Sequence, residues 1–289
     1  MVLILMRTMA PAALAVVLAL GGPIGPQPEP ALADLLKRGA EYVAGYPARV
    51  SGVVLEEQYR LTELQGGRAL PPKRIASDLT FVNGNNETRM VRDVFAVDTA
   101  PTRERTPRVS TVLSTLTPES WQKAQEFWRE SAYHFVSNVV MWGSEPTLAF
   151  QLLTAANQPK LVCRLDGRKK LNDIAVMGVR FQEPTERDKV YLLGTPGNAA
   201  ASGRFWIDPA TGDIHAIDLW LESPTESASI AVQFAPDPTL KLILPKELSG
   251  TFEQRELGAG PRGSGSDRNL SRRVEGTARY SNPRHFPIK

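Results

Sequence analysis

Along 203–221 the chain alternates in a two-residue rhythm on either side of Asp208-Pro209-Ala210-Thr211-Gly212. Pro209 presets φ for the first central position of a turn, and Gly212 can adopt φ > 0 before a second strand begins. This pattern predicts a β-hairpin. Phe205 and Ile207 fall on one face of its first strand, and Arg204, Trp206 and Asp208 on the other. On the return strand His215, Ile217, Leu219 and Leu221 share a face, while Ile214, Ala216, Asp218 and Trp220 share the opposite one. A half-solvated sheet would be polar on one side, whereas both sides here carry large apolar groups. The hairpin is therefore expected in mid-sheet, with one face on a core and the other partly covered.

Upstream, Leu32, Leu35, Leu36, Val43 and Tyr46 recur at helical spacing, and Gly45 and Pro47 predict where that helix stops. The period then changes to strands over 53–61, 74–82 and 90–97, separated by the turn signals Gln65-Gly66-Gly67 and Asn83-Gly84-Asn85-Asn86. Thr117-Pro118-Glu119-Ser120 supplies a cap, a proline at the first helical position and an early acid. Trp121, Ala124, Phe127, Trp128 and Phe135 follow at helical spacing, and 146–153 predicts a shorter helix ending near Asn157 and Pro159. From Lys160 the chain is β again: around Val162, over 174–181, through the hairpin, and over 229–234, 242–255 and 272–280. A Gly-, Ser- and Arg-rich loop at 258–269 links the last two strands. The fold class expected is α+β: a curved antiparallel sheet, an incomplete β-barrel, with an N-terminal helix and a helical insert packed on one face. The insert is expected over the Trp206 side of the hairpin.

Composition adds a compartment. The 289 residues, 42% hydrophobic and 22% charged, suit a globular protein with a sizeable core. Residues 30–289 show no repeat or linker and are expected to form one continuous domain. A net charge of +3 with dispersed Lys and Arg does not support nucleic acid as a partner. The single cysteine, Cys163, excludes an intrachain disulfide or a cysteine-built zinc site, and its strand-like surroundings suit a small core hydrophobe. Arg7 and the apolar run from Ala10 to Leu20 mark 1–29 as an export signal, too short in its apolar part to span a membrane. Ala19-Leu20-Gly21 and Ala31-Leu32-Ala33 compete as cleavage sites, and cleavage before Pro30 is favoured. No cysteine near them can carry a lipid anchor, and no later stretch reads as a transmembrane segment. The expected location is periplasmic or secreted.

Ser77-Asp78-Leu79, Arg92-Asp93-Val94-Phe95-Ala96-Val97-Asp98, Glu130-Ser131-Ala132-Tyr133, Pro146-Thr147-Leu148-Ala149, Gly203-Arg204-Phe205-Trp206-Ile207-Asp208 and Gly276-Thr277-Ala278-Arg279-Tyr280-Ser281-Asn282 together resemble a family of exported bacterial proteins without assigned function. The resemblance covers most of the chain after the export signal. More distantly, the order of helix, long antiparallel strands, inserted helices and further strands is similar to periplasmic lipoprotein carriers of the LolA and LolB type. That likeness implies an incomplete barrel that wraps helices and shelters acyl chains, although architecture alone does not give function.

Direct readings of chemistry are sparse. Gly258-Ala259-Gly260-Pro261-Arg262-Gly263 fits the dinucleotide string, but no helix pattern follows to point N–H groups at a phosphate, so it is read as a loop. His134, His215 and His285 are isolated, and no short spacing pairs them as metal ligands. No GxSxG elbow exposes a serine. Asp208, Asp213 and Asp218 cluster at the hairpin and could in principle act as paired carboxylates, but Asp208 before Pro209 is expected to cap the turn. Asn86-Glu87-Thr88 and Asn269-Leu270-Ser271 match the short glycosylation pattern. No catalytic residue, metal site or cofactor is expected.

The aromatic set remains. Trp121, Trp128, Trp142, Trp206 and Trp220 lie in the insert and the central hairpin. They are expected chiefly to seal helices onto the sheet. Trp142, Trp206 and Trp220 are also the candidate contacts for a ligand in an apolar cavity. The leading expectation is a non-enzymatic exported binding module for a lipid, lipoprotein or other apolar ligand. The alternative is a cell-envelope protein–protein interaction protein with a filled core. A hydrolase would need the scattered carboxylates or histidines to converge.

Overall fold

Leu35, Tyr42, Val43, Tyr46 and Val50 form a single buried stripe along α1 (Leu32–Val50), as the helical spacing predicts. The computed structural model describes residues 31–65, 67–84, 87–115, 117–135, 140, 143–184, 199–254 and 272–288. The expected export signal at 1–29, Trp142, the 258–269 stretch with its glycine string, and the asparagines of both glycosylation patterns lie outside these residues. Helix α1 does not stop at Pro47 but runs one turn further. Proline forfeits one backbone hydrogen bond, and the burial of Tyr46 and Val50 carries the helix past it.

Among the described residues, twelve strands follow in one antiparallel sheet. They are β1 (Val53–Gln65), β2 (Arg68–Ala69), β3 (Lys73–Gly84), β4 (Glu87–Val97), β5 (Ala100–Pro101), β6 (Val162–Leu171), β7 (Ile174–Gln182), β8 (Ala200–Ile207), β9 (Ile214–Glu222), β10 (Glu226–Asp237), β11 (Leu242–Gln254) and β12 (Arg272–His285). Their order is β5-β4-β3-β1-β12-β11-β10-β9-β8-β7-β6, with β2 paired to β1, so the sheet is open at β5 and β6. The long β1–β12 pair joins the start of the chain to its end. Between β5 and β6 lie α2 (Arg108–Leu113), α3 (Pro118–Ala132) and α4 (Phe150–Leu153). Thr117 and Ser120 cap α3 reciprocally, each side chain bonding the other's backbone N–H. The predicted 146–153 helix shrinks to α4, preceded by turns, and α2, β2 and β5 were not foreseen from the sequence.

One face of the sheet builds the main core. Leu55, Tyr59, Leu79, Phe81, Phe205, Ile217, Ile230, Phe234, Phe252 and Ala278 meet α1, α4 and the segment around Phe135 and Leu148 in one continuous cluster. Phe150 is stacked on Phe234 and edge-on to Tyr46, which locks α4 between α1 and β10. Helices α2 and α3 form a separate cluster with Val82 and Val91, the residues alternate to Phe81 and Met90, and so cover the outer side of β3 and β4.

The β8–β9 hairpin does lie in mid-sheet, between β7 and β10. Gly212 has φ +84°, and Asp208 Oδ1 accepts the Ala210 N–H at 2.7 Å, the capping role expected of it. Arg38 of α1 donates to the carbonyls of Pro209 and Ala210, tying the turn to the helix. Two expectations need correction. His215 is the extra residue of a β-bulge, since Trp206 pairs with Ala216 and Ile207 with Ile214. The phase therefore flips, and Ile214 joins Ile217 in the main core instead of facing away from it. The helical cover expected over Trp206 sits elsewhere. Trp206 is instead packed among Val176, Ala216, Leu171 and Ile174 of the sheet itself, with the Lys169 ammonium 3.7 Å from its ring centre.

Candidate functional site

Inward positions on β1 read Val53, Leu55, Glu57, Tyr59 and Leu61, so strand alternation places a carboxylate among core residues. On β4 the same phase places Arg92 between Met90 and Val94. Strand β3 separates the two, with Ser77 directly opposite Glu57 and Leu79 opposite Arg92. Arg92 reaches across it. Its Nε donates to Glu57 Oε2 at 2.6 Å and its Nη2 to Glu57 Oε1 at 2.9 Å, while the Ser77 hydroxyl donates to Oε2 at 2.6 Å. Side-chain exposure is 1% for Arg92 and 0% for Glu57, so the pair is wholly desolvated. Only saturation of donors and acceptors makes such burial tolerable.

The insert and the neighbouring strand β12 complete the shell. Arg92 Nη2 also donates to the Ser144 carbonyl at 3.2 Å, and its guanidinium lies 4.9 Å over the Phe135 ring. The Ser131 hydroxyl, at the end of α3, donates to the Arg92 carbonyl at 2.6 Å. Tyr59 and Tyr280, neighbours of Glu57 on β1 and β12, line the same spot. Gly276 makes room for Tyr59, since a Cβ there would stand 2.6 Å from the phenol oxygen. Half-buried Glu145 lies nearby and accepts from the Thr147 hydroxyl.

Electrostatics follow from burial. Burial opposes the Arg92 charge, but the Glu57 carboxylate outweighs it and holds the guanidinium above its ordinary range. Desolvation, reinforced by the Glu57 charge, pushes the Tyr59 and Tyr280 phenols up. Desolvation also raises the Glu145 carboxyl, against the pull of Thr147 and Arg92. The phenols are thus neutral donors. Among the described residues, the hydroxyls of Tyr46 and Tyr59 find no protein partner, and those of Tyr42 and Tyr280 sit beside Arg49 and Glu57 without a hydrogen bond of good geometry. Such a group forgoes about 1–3 kcal/mol when left unmet. This inner face offers neutral donors beside a neutralised ion pair, within an aromatic lining. Both Glu57 carboxylate oxygens are engaged, by Arg92 and by Ser77.

Residues singled out from the sequence lie elsewhere. Trp206 and Trp220 stand on the outer face of the hairpin, the first buried and the second 46% exposed. His215 is buried at its bulge, with neither ring nitrogen bonded among the described residues, and burial lowers its basicity. No group of three or more His, Cys, Asp or Glu side chains converges among the described residues. Cys163 is half-buried against the core, where burial raises its thiol. Glu57, Arg92 and Ser77 were missed as a unit. The available signal was a charged residue in the core phase of a strand, visible in β1 and β4 once the alternation is written out.

Two clefts lie among the described residues, the first of them reaching Ser131 and Val94 beside this cluster. One of about 380 Å³ lies at the β4 edge between Arg103, Arg108 and the end of α3. There Asp93 takes ion pairs from both arginines, and desolvation still raises its carboxyl. The other, of about 490 Å³, crosses the outer face of β3, β1, β12, β11 and β10 and is lined by Gln58, Arg60, Arg74, Glu247 and Arg279.

No helix of the described chain is long and apolar enough to cross a membrane. No family model matches the chain, and no curated protein does. Solved structures similar to it include a DUF1329 family protein from Desulfovibrio piger, 10% identical over 87% of this chain and 93% of that one, TM-score 0.36. They also include a putative outer membrane lipoprotein-sorting protein domain from Vibrio parahaemolyticus, 11% identical over 86% and 93%, TM-score 0.36. A LolA superfamily protein from Nitrosomonas europaea is 9% identical over 86% and 94%, TM-score 0.28. Structures similar to this chain thus include a DUF1329 family protein and a LolA superfamily protein.

Proposed function

We propose that the chain is an exported, non-enzymatic binding module for an amphiphile: a lipid, the acyl part of a lipoprotein or a similar molecule. The observation that carries this reading is the set of buried tyrosine hydroxyls, Tyr59 above all, that meet no protein acceptor on the inner face of an open sheet. A carboxyl, ester or phosphate oxygen would accept from them, and the Tyr42, Tyr46, Phe81, Phe150 and Phe234 lining suits an acyl chain. Trp206 and Trp220 would meet such a ligand only from the outer surface. The export segment 1–29 and a single domain over 30–289 belong to this proposal. Native mass spectrometry of protein taken from the periplasm of its own cells tests it. A retained lipid mass, lost on organic extraction, is expected, and protein that is bare and takes up no fluorescent fatty acid overturns it.

A second reading, an envelope interaction protein with a filled interior, is favoured by the cleft that crosses the outer face of the sheet. Co-purification of a stoichiometric protein partner with no lipid would establish it instead.

A further inference from the structure

We infer that the outer face of β6–β9 docks the protein on an anionic bilayer surface, independently of what the inner face binds. Arg164, Arg180 and Arg204 occupy directly opposed register positions on three successive strands. Like charges so placed oppose folding. One carboxylate, Asp166, serves two of them, 3.0 Å from Arg180 and 2.5 Å from Arg204, and Arg164 has no acidic partner among the described residues. Shielding of the open β6 edge would explain Arg164 and Lys169, since charge on an edge strand blocks pairing with another chain. It does not explain Arg180 and Arg204, which lie on inner strands.

The next row across the same face reads Val162, Gln182, Ser202 and Trp220. Its two apolar members are 64% and 46% exposed, and Trp220 faces only serines across its strand pairs. Asp218, directly opposite Arg204, and Glu222 are the other acids on this face and flank Trp220, so the excess of cations lies on the β6 side, at Arg164 and Lys169 beside bare Val162. Guanidiniums grip phosphate oxygens two bonds at a time, and an exposed tryptophan settles at the headgroup level. Three aligned arginines, with bare Val162 beside them and Trp220 at the far end of the next row, fit the phosphates of a lipid surface. An acidic protein would satisfy the arginines but gives Trp220 no reason to be bare.

The test is co-sedimentation of periplasm-derived protein with phosphatidylcholine vesicles, with and without phosphatidylglycerol. Binding that requires phosphatidylglycerol and weakens with salt is expected. Arg164→Gln should weaken it about fivefold, and Arg164→Gln with Arg180→Gln about 25-fold. Trp220→Ser should abolish a blue shift of tryptophan emission on vesicle addition. All three positions are exposed, and unchanged urea midpoints confirm that the variants fold. Arg60→Gln with Arg74→Gln, elsewhere on the outer face, removes equal charge and should leave binding intact. Equal loss in that control, binding indifferent to phosphatidylglycerol, no loss in the arginine variants, or capture of an acidic protein without vesicle binding would each overturn the inference.

Discussion

Arg92 and Glu57 form a doubly hydrogen-bonded ion pair across an intervening strand, both essentially without solvent contact. Removing one partner strands a buried charge, whereas removing both does not. Glu57→Leu or Arg92→Met alone should lower stability by about 3–5 kcal/mol. The double variant should fall well short of the sum. Urea titration of the four proteins forms the cycle, and additive losses would show that the charges act independently.

The tyrosine hydroxyls make a sharper test of ligand binding. Tyr59→Phe deletes a donor that meets no protein acceptor, so stability should stay level or rise by about 1 kcal/mol. Uptake of a fluorescent fatty acid should nevertheless fall. A drop in stability with unchanged uptake would mean that the hydroxyl serves the fold alone.

Trp206 shows the opposite balance. Buried in the small cluster under Lys169 on the outer face, it should cost about 3 kcal/mol when cut to alanine. Fatty-acid uptake at a temperature where the variant stays folded should change little.

At Gly212, φ is +84° and a Cβ would stand 2.7 Å from the Arg38 carbonyl oxygen. Gly212→Val combines backbone strain with that clash and should destabilise by on the order of 1–3 kcal/mol. Equal urea midpoints for variant and parent would refute this.

His215 links stability to acidity. Burial holds its folded pKa below the ordinary value, against the opposing pull of Asp213 and Asp208. The unfolded chain therefore takes up a proton first as pH falls. Stability should be full above about pH 6.5 and decline as pH drops from there through the depressed folded value. His134, also depressed by burial and by Lys73, adds to the slope. His215→Gln should flatten the decline between pH 7 and 5, and an unchanged slope would assign it to the carboxylates.

Local chemistry in the sequence specified the hairpin, the capped start of α3, the strand series and the open antiparallel class, because turn residues, caps and two-residue alternation act within a few positions of one another. It specified less where long-range packing overrides local preference. Helix α1 passes Pro47 because Tyr46 and Val50 are buried in the core, Tyr46 against Phe81 of β3 and Phe150 of α4, and the bulge at His215 moves Ile214 into the core although alternation alone turns it outward. The pairing of Glu57 with Arg92 was beyond any local reading. The two residues are 35 positions apart, and only the β1–β3–β4 register sets the distance between them. The arginine ladder is the same case: Arg164, Arg180 and Arg204 are scattered basic residues in the sequence and become a row only when antiparallel pairing aligns three strands. Periodicity determines which face of a strand a side chain takes, whereas register, which depends on the whole sheet, determines what it meets there.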